Sequence, residues 1–199
     1  MTSQIDFGHQ YEDCEEELDP NFPPALMGEI KTTVFVDSDH GHDKRTGRSI
    51  TGFVGLFGST PGSWGSKRQS SVQASTFGAE FLAVKRAVEE AVTYRYFLRS
   101  FGCKVSIPTV IYGDNRATFI SSTEPGTALE KKHVALSYHF CREHFLAKVV
   151  DIRLIDGKCN FADAMTKALS KTQFDGHITQ LMDNGPGQGE NNELPCQTK

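Results

Sequence analysis

Four carboxylates stand where the surrounding pattern calls for apolar or neutral residues: Asp37, Glu80, Asp114 and Asp163. Asp37 ends a β-branched and aromatic run, and by strand alternation it shares a face with Phe35 and Thr33. Asp114 closes the run Val110-Ile111-Tyr112, and Asp163 opens a helical stretch after Asn160. Glu80 falls within the helical stripe marked by Phe77, Val84, Ala91 and Leu98, which turns it inward. A lone buried carboxylate costs several kcal/mol or takes up a proton, so Glu80 requires a partner. If all four converge on one end of a sheet, their repulsion calls for cations, and hard divalent ions such as Mg²⁺ favour oxygen ligands. Two such ions about 4 Å apart activate a water on one side of a phosphodiester and stabilise the leaving oxygen on the other. Taken singly, Asp163 also fits a helix start after an Asn160 cap, and Asp37 and Asp114 also fit turns.

These residues need a scaffold, and the chain supplies an alternating one. Residues 31–37, 49–57 and 62–67 read as three consecutive strands separated by Gly- and Pro-containing turns, an antiparallel meander. A long helix follows, capped by either Ser75 or Thr76 and running to about Phe101 with Gly102 as its stop. Its apolar stripe is Phe77, Phe81, Val84, Val88, Ala91 and Leu98. Then come a short buried strand over 109–112, a helix over 116–122, a loop with Pro125 and Gly126, a helix over 130–148 and a strand over 149–155. A terminal helix starts near Asn160 and continues past Thr172 to Met182. The order implies an α/β layered fold.

Length and composition bound the reading. With 199 residues and 38% apolar content, the chain fits one domain, 31–182, between two tails, 1–30 and 183–199, both expected to be disordered or extended. The net charge of −4 is unevenly spread: residues 1–30 hold eight carboxylates and no Lys or Arg, whereas residues 31–182 are about six positive. A basic core between acidic tails suits a polyanionic partner. No stretch reaches the roughly 20 apolar residues of a membrane span, and the acidic start does not fit a secretion signal. A soluble intracellular protein is expected, with cytoplasm and nucleus equally compatible. The five scattered cysteines form no CxxC pair and are expected to be reduced thiols.

The ordered motifs resemble the ribonuclease H domain of copia-type long-terminal-repeat retrotransposons. They are Val36-Asp37-Ser38-Asp39, Arg48-Ser49-Ile50-Thr51-Gly52, Trp64-Gly65-Ser66-Lys67-Arg68-Gln69, Ala74-Ser75-Thr76-Phe77-Gly78-Ala79-Glu80-Phe81 and Gly113-Asp114-Asn115. Lys131-Lys132-His133, Tyr138-His139-Phe140-Cys141-Arg142-Glu143, Asp156-Gly157-Lys158 and Ala162-Asp163-Ala164-Met165-Thr166-Lys167 continue the series. The resemblance implies a ribonuclease H-like fold, a five-stranded mixed sheet in the order 3-2-1-4-5 with helices on both faces. It implies two Mg²⁺ ions, with Mn²⁺ as substitute, held by Asp37, Glu80, Asp114 and Asp163. Asp37 would bridge the ions, with Glu80 and Asp114 on the nucleophile side and Asp163 on the other. It also implies an RNA–DNA hybrid as partner and a reverse transcriptase domain in a larger polyprotein; the isolated domain is expected to be a monomer. The histidine that cellular relatives carry before the last aspartate is missing from residues 154–160, where Lys158 is the available substitute.

Arg48, Ser66, Lys67, Gln69, Ser75, Thr76 and Asn115 flank the proposed metals and are candidates for phosphates or 2′-hydroxyls, with Lys131 and Lys132 as a second contact. His40 and His42 beside Asp39 and Asp43 form a second cluster, read as a solvated turn rather than a zinc site. Trp64, in a strand, is expected in the core. Two further functions compete with a hybrid nuclease: a catalytically inactive remnant that only binds nucleic acid, and an integrase-like nuclease acting on DNA. The intact carboxylate set disfavours the remnant. A helix carrying Glu80 directly after three strands disfavours the integrase.

Overall fold

The computed structural model describes residues 14–123 and 135–184. The elements run β1 (Met27–Glu29), β2 (Thr32–Asp39), β3 (Ile50–Phe57), β4 (Thr60–Arg68), α1 (Thr76–Ser100), β5 (Cys103–Lys104), β6 (Thr109–Gly113), α2 (Arg116–Thr123), α3 (Ala135–Leu146), β7 (Val150–Leu154), α4 (Asp163–Thr166) and α5 (Lys171–Thr179). The main sheet has five strands in the order β4-β3-β2-β6-β7. Counting these five alone gives 3-2-1-4-5, the order that the resemblance implies. Strands β2, β3 and β4 pair antiparallel, and β6 and β7 join them in parallel.

Strand alternation divides the core into two layers. Val34 and Val36 face α1 and α3 in a cluster with Phe53, Phe81, Val88, Ile111 and Tyr138. Phe35 turns the other way, against Val54, Leu56, Tyr112 and Phe161. The long helix starts where Ser75 accepts a hydrogen bond from the Gly78 N–H, and it stops where Gly102 takes φ +73°. Its expected apolar stripe is core-facing: Phe81, Val84, Val88, Ala91 and Leu98 are all buried. Among the described residues, no helix is long and apolar enough to cross a membrane.

The structure departs from the sequence-based expectations in three places. The terminal helix is broken: a 3₁₀ turn (Gly157–Cys159) precedes the short α4, residues 167–170 interrupt, and α5 ends in a π-helical turn (Gln180–Asn184). Asn160 is accordingly no helix cap. Its side chain donates to the Val36 carbonyl (2.9 Å) and accepts from the Ala162 N–H (3.2 Å), pinning the start of α4 to β2. Trp64 is 66% exposed, not in the core. It lies in β4, at the edge of the sheet, opposite Val54 on the face covered by α4, and the four-residue α4 sits over Gly52 of β3. The described part of the leader is no free tail: β1 pairs with β5, and Glu16 binds Arg95 and Arg99. Cys14, Cys103 and Cys141 form no disulfide, in line with the sequence-based expectation.

Candidate metal centre

Two parallel strands place the first pair of carboxylates. Phe35 of β2 is in register with Tyr112 of β6, so Asp37 and Asp114, each two residues further on, reach the same end of the sheet side by side. Because Asp37 shares a face with Phe35, it points toward the α4 layer. There the Asn160 pin brings in Asp163, the first residue of α4. Ligand oxygens of Asp37, Asp114 and Asp163 all lie within 4.8 Å of one another. Asp37 is buried, whereas Asp114 and Asp163 are partly open to solvent.

Glu80 approaches from the opposite layer, on the second turn of α1. It stands outside the 4.8 Å group, yet it feels that group strongly. Burial first, and then the charges of Asp37 and Asp114, push its carboxyl up to about 8. The same two causes, burial and the Asp37 charge, raise Asp114 and Asp163 above the ordinary aspartate range. The centre therefore holds more negative charge than it can keep ionised without cations.

The chain supplies one cation of its own. The Lys167 ammonium is 3.0 Å from Asp163 Oδ1 and 3.9 Å from Asp37 Oδ2. Burial lowers the Lys167 pKa, but Asp163 and Asp37 outweigh it and hold the group above its usual value. Thr166 donates its hydroxyl to Asp37 Oδ2. Neither residue was singled out from the sequence as part of the centre. The available signal was their spacing, since residues three and four positions after Asp163 share its helix face.

A close approach of backbone keeps α4 in place. A Cβ on Gly52 would come 2.6 Å from Met165 Cβ and 2.9 Å from the Ala162 carbonyl, so the helix can sit this near β3 only over a glycine. On the other flank, a Cβ on Gly157 would come 3.1 Å from Asp114 Oδ2, which puts the 3₁₀ turn against the cluster. Lys158 belongs to that turn, and its carbonyl hydrogen-bonds His177 Nε2 at 3.1 Å.

The candidate nucleic-acid contacts divide. Ser66 is opposite Gly52, itself opposite Asp37, and exposed Lys67 is its neighbour on β4. Arg48 ends the loop before β3 at the same end of the sheet. Thr76 is exposed at the start of α1, behind the Ser75 cap. Asn115 follows Asp114, and its side-chain Oδ1 accepts from the Thr118 N–H and hydroxyl, capping α2. Gln69 is a correction: it is buried, and its amide donates to Thr51 Oγ1 and the Ala79 carbonyl at 2.9 Å each, tying α1 to β3 instead of facing outward. Lys131 and Lys132 lie outside the described residues. In the β2–β3 loop, His42 pairs with Asp39, His40 with the Gln73 carbonyl and Asp43 with Arg68.

No protein-family model matches the chain. Among curated proteins, the chain is 29% identical over 147 residues to the retrovirus-related Pol polyprotein of transposon RE1 of Arabidopsis thaliana, covering 74% of this chain and 10% of that protein. The Pol polyprotein of transposon RE2 from the same plant is 31% identical over 140 residues, covering 70% and 10%. The chain belongs to the retrotransposon Pol polyproteins, of which it matches one segment. It spans about a tenth of the length of these relatives. The ribonuclease H-like fold also appears in a solved structure, LC11-RNase H1, isolated from compost, in complex with an RNA/DNA hybrid. That match has a TM-score of 0.54 at 13% identity and covers 68% of this chain and 94% of the other. Within this ribonuclease H-like fold, Asp37, Asp114 and Asp163 converge at one end of the sheet.

Proposed function

We propose that the domain is an endonuclease that hydrolyses the RNA strand of RNA–DNA hybrids with the help of two divalent cations. The observation that carries this reading is the convergence of Asp37, Asp114 and Asp163 within 4.8 Å, with Glu80 pushed up to about 8 by burial and by the Asp37 and Asp114 charges. An all-oxygen donor set of this kind fits Mg²⁺, with Mn²⁺ as substitute. Bound there, the cations would supply a water of lowered pKa and charge to offset the leaving oxygen.

The chain's own residues do the rest. Asp37, buried and oriented by Thr166, would serve both cation positions. Glu80 and Asp114 would help hold one cation, and Asp163 would complete the other. Lys167, with a side chain 47% exposed, is free to turn from the carboxylates toward a phosphate when cations arrive. Arg48, Lys67, Ser66, Thr76 and Asn115 line the approach and recognise phosphates and 2′-hydroxyls, so cleavage depends on helix shape more than on sequence. In a longer Pol polyprotein the hybrid would be supplied by a reverse transcriptase.

The test is a substrate panel: end-labelled RNA–DNA hybrid, single-stranded RNA, duplex RNA and duplex DNA of one sequence, each with Mg²⁺ or EDTA. Cleavage confined to the RNA of the hybrid and abolished by EDTA is expected. Cleavage of duplex DNA, or intact hybrid in both Mg²⁺ and Mn²⁺, overturns the reading.

A further inference from the structure

On α1, Arg95 falls on the core-facing stripe and is 1% exposed, and Arg99 lies one turn on. A guanidinium cannot lose its proton, so burying one demands a carboxylate or a full set of acceptors. Among the described residues the body of the domain gives each arginine a carbonyl: Ile107 for Arg95 and Val105 for Arg99, at 2.7 and 2.8 Å. Among the described residues, the carboxylate of both is Glu16. Its two oxygens take four charge-assisted hydrogen bonds of 2.6–2.8 Å from the two guanidiniums. Further along the same segment, Phe22 packs on Tyr96, the Tyr96 hydroxyl donates to the Glu17 carbonyl, and Glu29 accepts from the Ser106 and Ile107 N–H groups.

We propose that Arg95 and Arg99 form a built receptor for an acidic, extended peptide segment, and that its occupant is the chain's own leader, anchored by Glu16. The reading is independent of the carboxylate centre. Among the described residues no carboxylate of the body pairs with either guanidinium, and the leader brings the carboxylate without any Lys or Arg to neutralise it locally. A cavity of about 280 Å³, lined by Glu16, Glu17, Val92, Tyr96, Glu143 and His144 among others, runs beside the docked segment. Arg95 follows Glu80 by fifteen residues, about 22 Å along the helix axis. Docking therefore holds Glu16 well clear of the carboxylates.

Two measurements on the full chain test this. Arg95→Met with Arg99→Met removes the receptor without orphaning a buried charge. Amide exchange over residues 14–30 is expected to speed up about tenfold or more, with α1, β2 and β3 still protected. Glu16→Ala empties the receptor instead, and a synthetic peptide spanning residues 14–24 should then bind this variant, more weakly as salt rises, but not the wild-type chain. Leader exchange unchanged in the double variant overturns the proposal. So does equal binding by a peptide in which Glu16 is replaced by Ala.

Discussion

Glu80→Gln should stabilise the protein in the absence of metal, and by an amount that depends on pH. The Glu80 carboxyl is raised from 4.5 to about 8, so folding at neutral pH takes up a proton that the unfolded chain lacks. The sign follows: the penalty is absent below about 4.5, grows between 4.5 and 8, and is constant above. Each pH unit in that window is worth about 1.4 kcal/mol, giving about 3 kcal/mol at pH 7. Solvent access to the half-buried side chain trims this to about 2–3 kcal/mol. The glutamine carries no charge and escapes the penalty. Urea unfolding in EDTA should therefore show the variant about 2–3 kcal/mol more stable at pH 7, and within about 0.5 kcal/mol of wild type at pH 4.5. Mg²⁺ should reverse the order by favouring the ionised glutamate. A variant no more stable than wild type at pH 7 in EDTA refutes the view that Glu80 is forced up by its neighbours.

Three other substitutions probe how the centre is held. Gly52→Ala drives a Cβ into Met165 and the Ala162 carbonyl, so it should cost about 1–3 kcal/mol in thermal or urea unfolding and weaken Mn²⁺ binding by displacing Asp163. Asn160→Ala removes two buried hydrogen bonds and leaves the Val36 carbonyl unpaired, an expected loss of about 1–3 kcal/mol by urea unfolding. Lys167→Met takes the ammonium from Asp37 and Asp163; with the lysine half exposed, the metal-free protein should lose less than about 1 kcal/mol, while calorimetry should find Mn²⁺ bound more tightly.

Much of this was readable before any coordinates, and the remainder failed for identifiable reasons. Glu80 was legible because a charged residue inside a 3.6-residue apolar stripe conflicts with burial. Arg95 occupies the same stripe and could have been flagged by the same conflict, but its partner Glu16 lies 79 residues away and no local pattern predicts that pairing. Strands β2 and β3 were long enough to show their period, whereas β1 and β5, of three and two residues, carry no periodicity to detect. The meander gave no hint that Trp64 would be left uncovered, because that depends on how far α4 reaches across the sheet. Convergence of the three aspartates depends on the β2–β6 register and on Asn160 reaching Val36, and both are tertiary facts.

The most direct test is cleavage of a labelled RNA–DNA hybrid by the wild-type chain and by Asp114→Asn, in Mg²⁺, with both proteins shown to be folded by circular dichroism. Asp114 belongs to the 4.8 Å cluster, and the substitution keeps its size while removing its charge. Mg²⁺-dependent cutting of the RNA strand by the wild type, lost by at least about a hundredfold in the variant, is the expected result. Equal cutting by the two proteins would contradict the assignment of the carboxylate cluster as the catalytic metal centre.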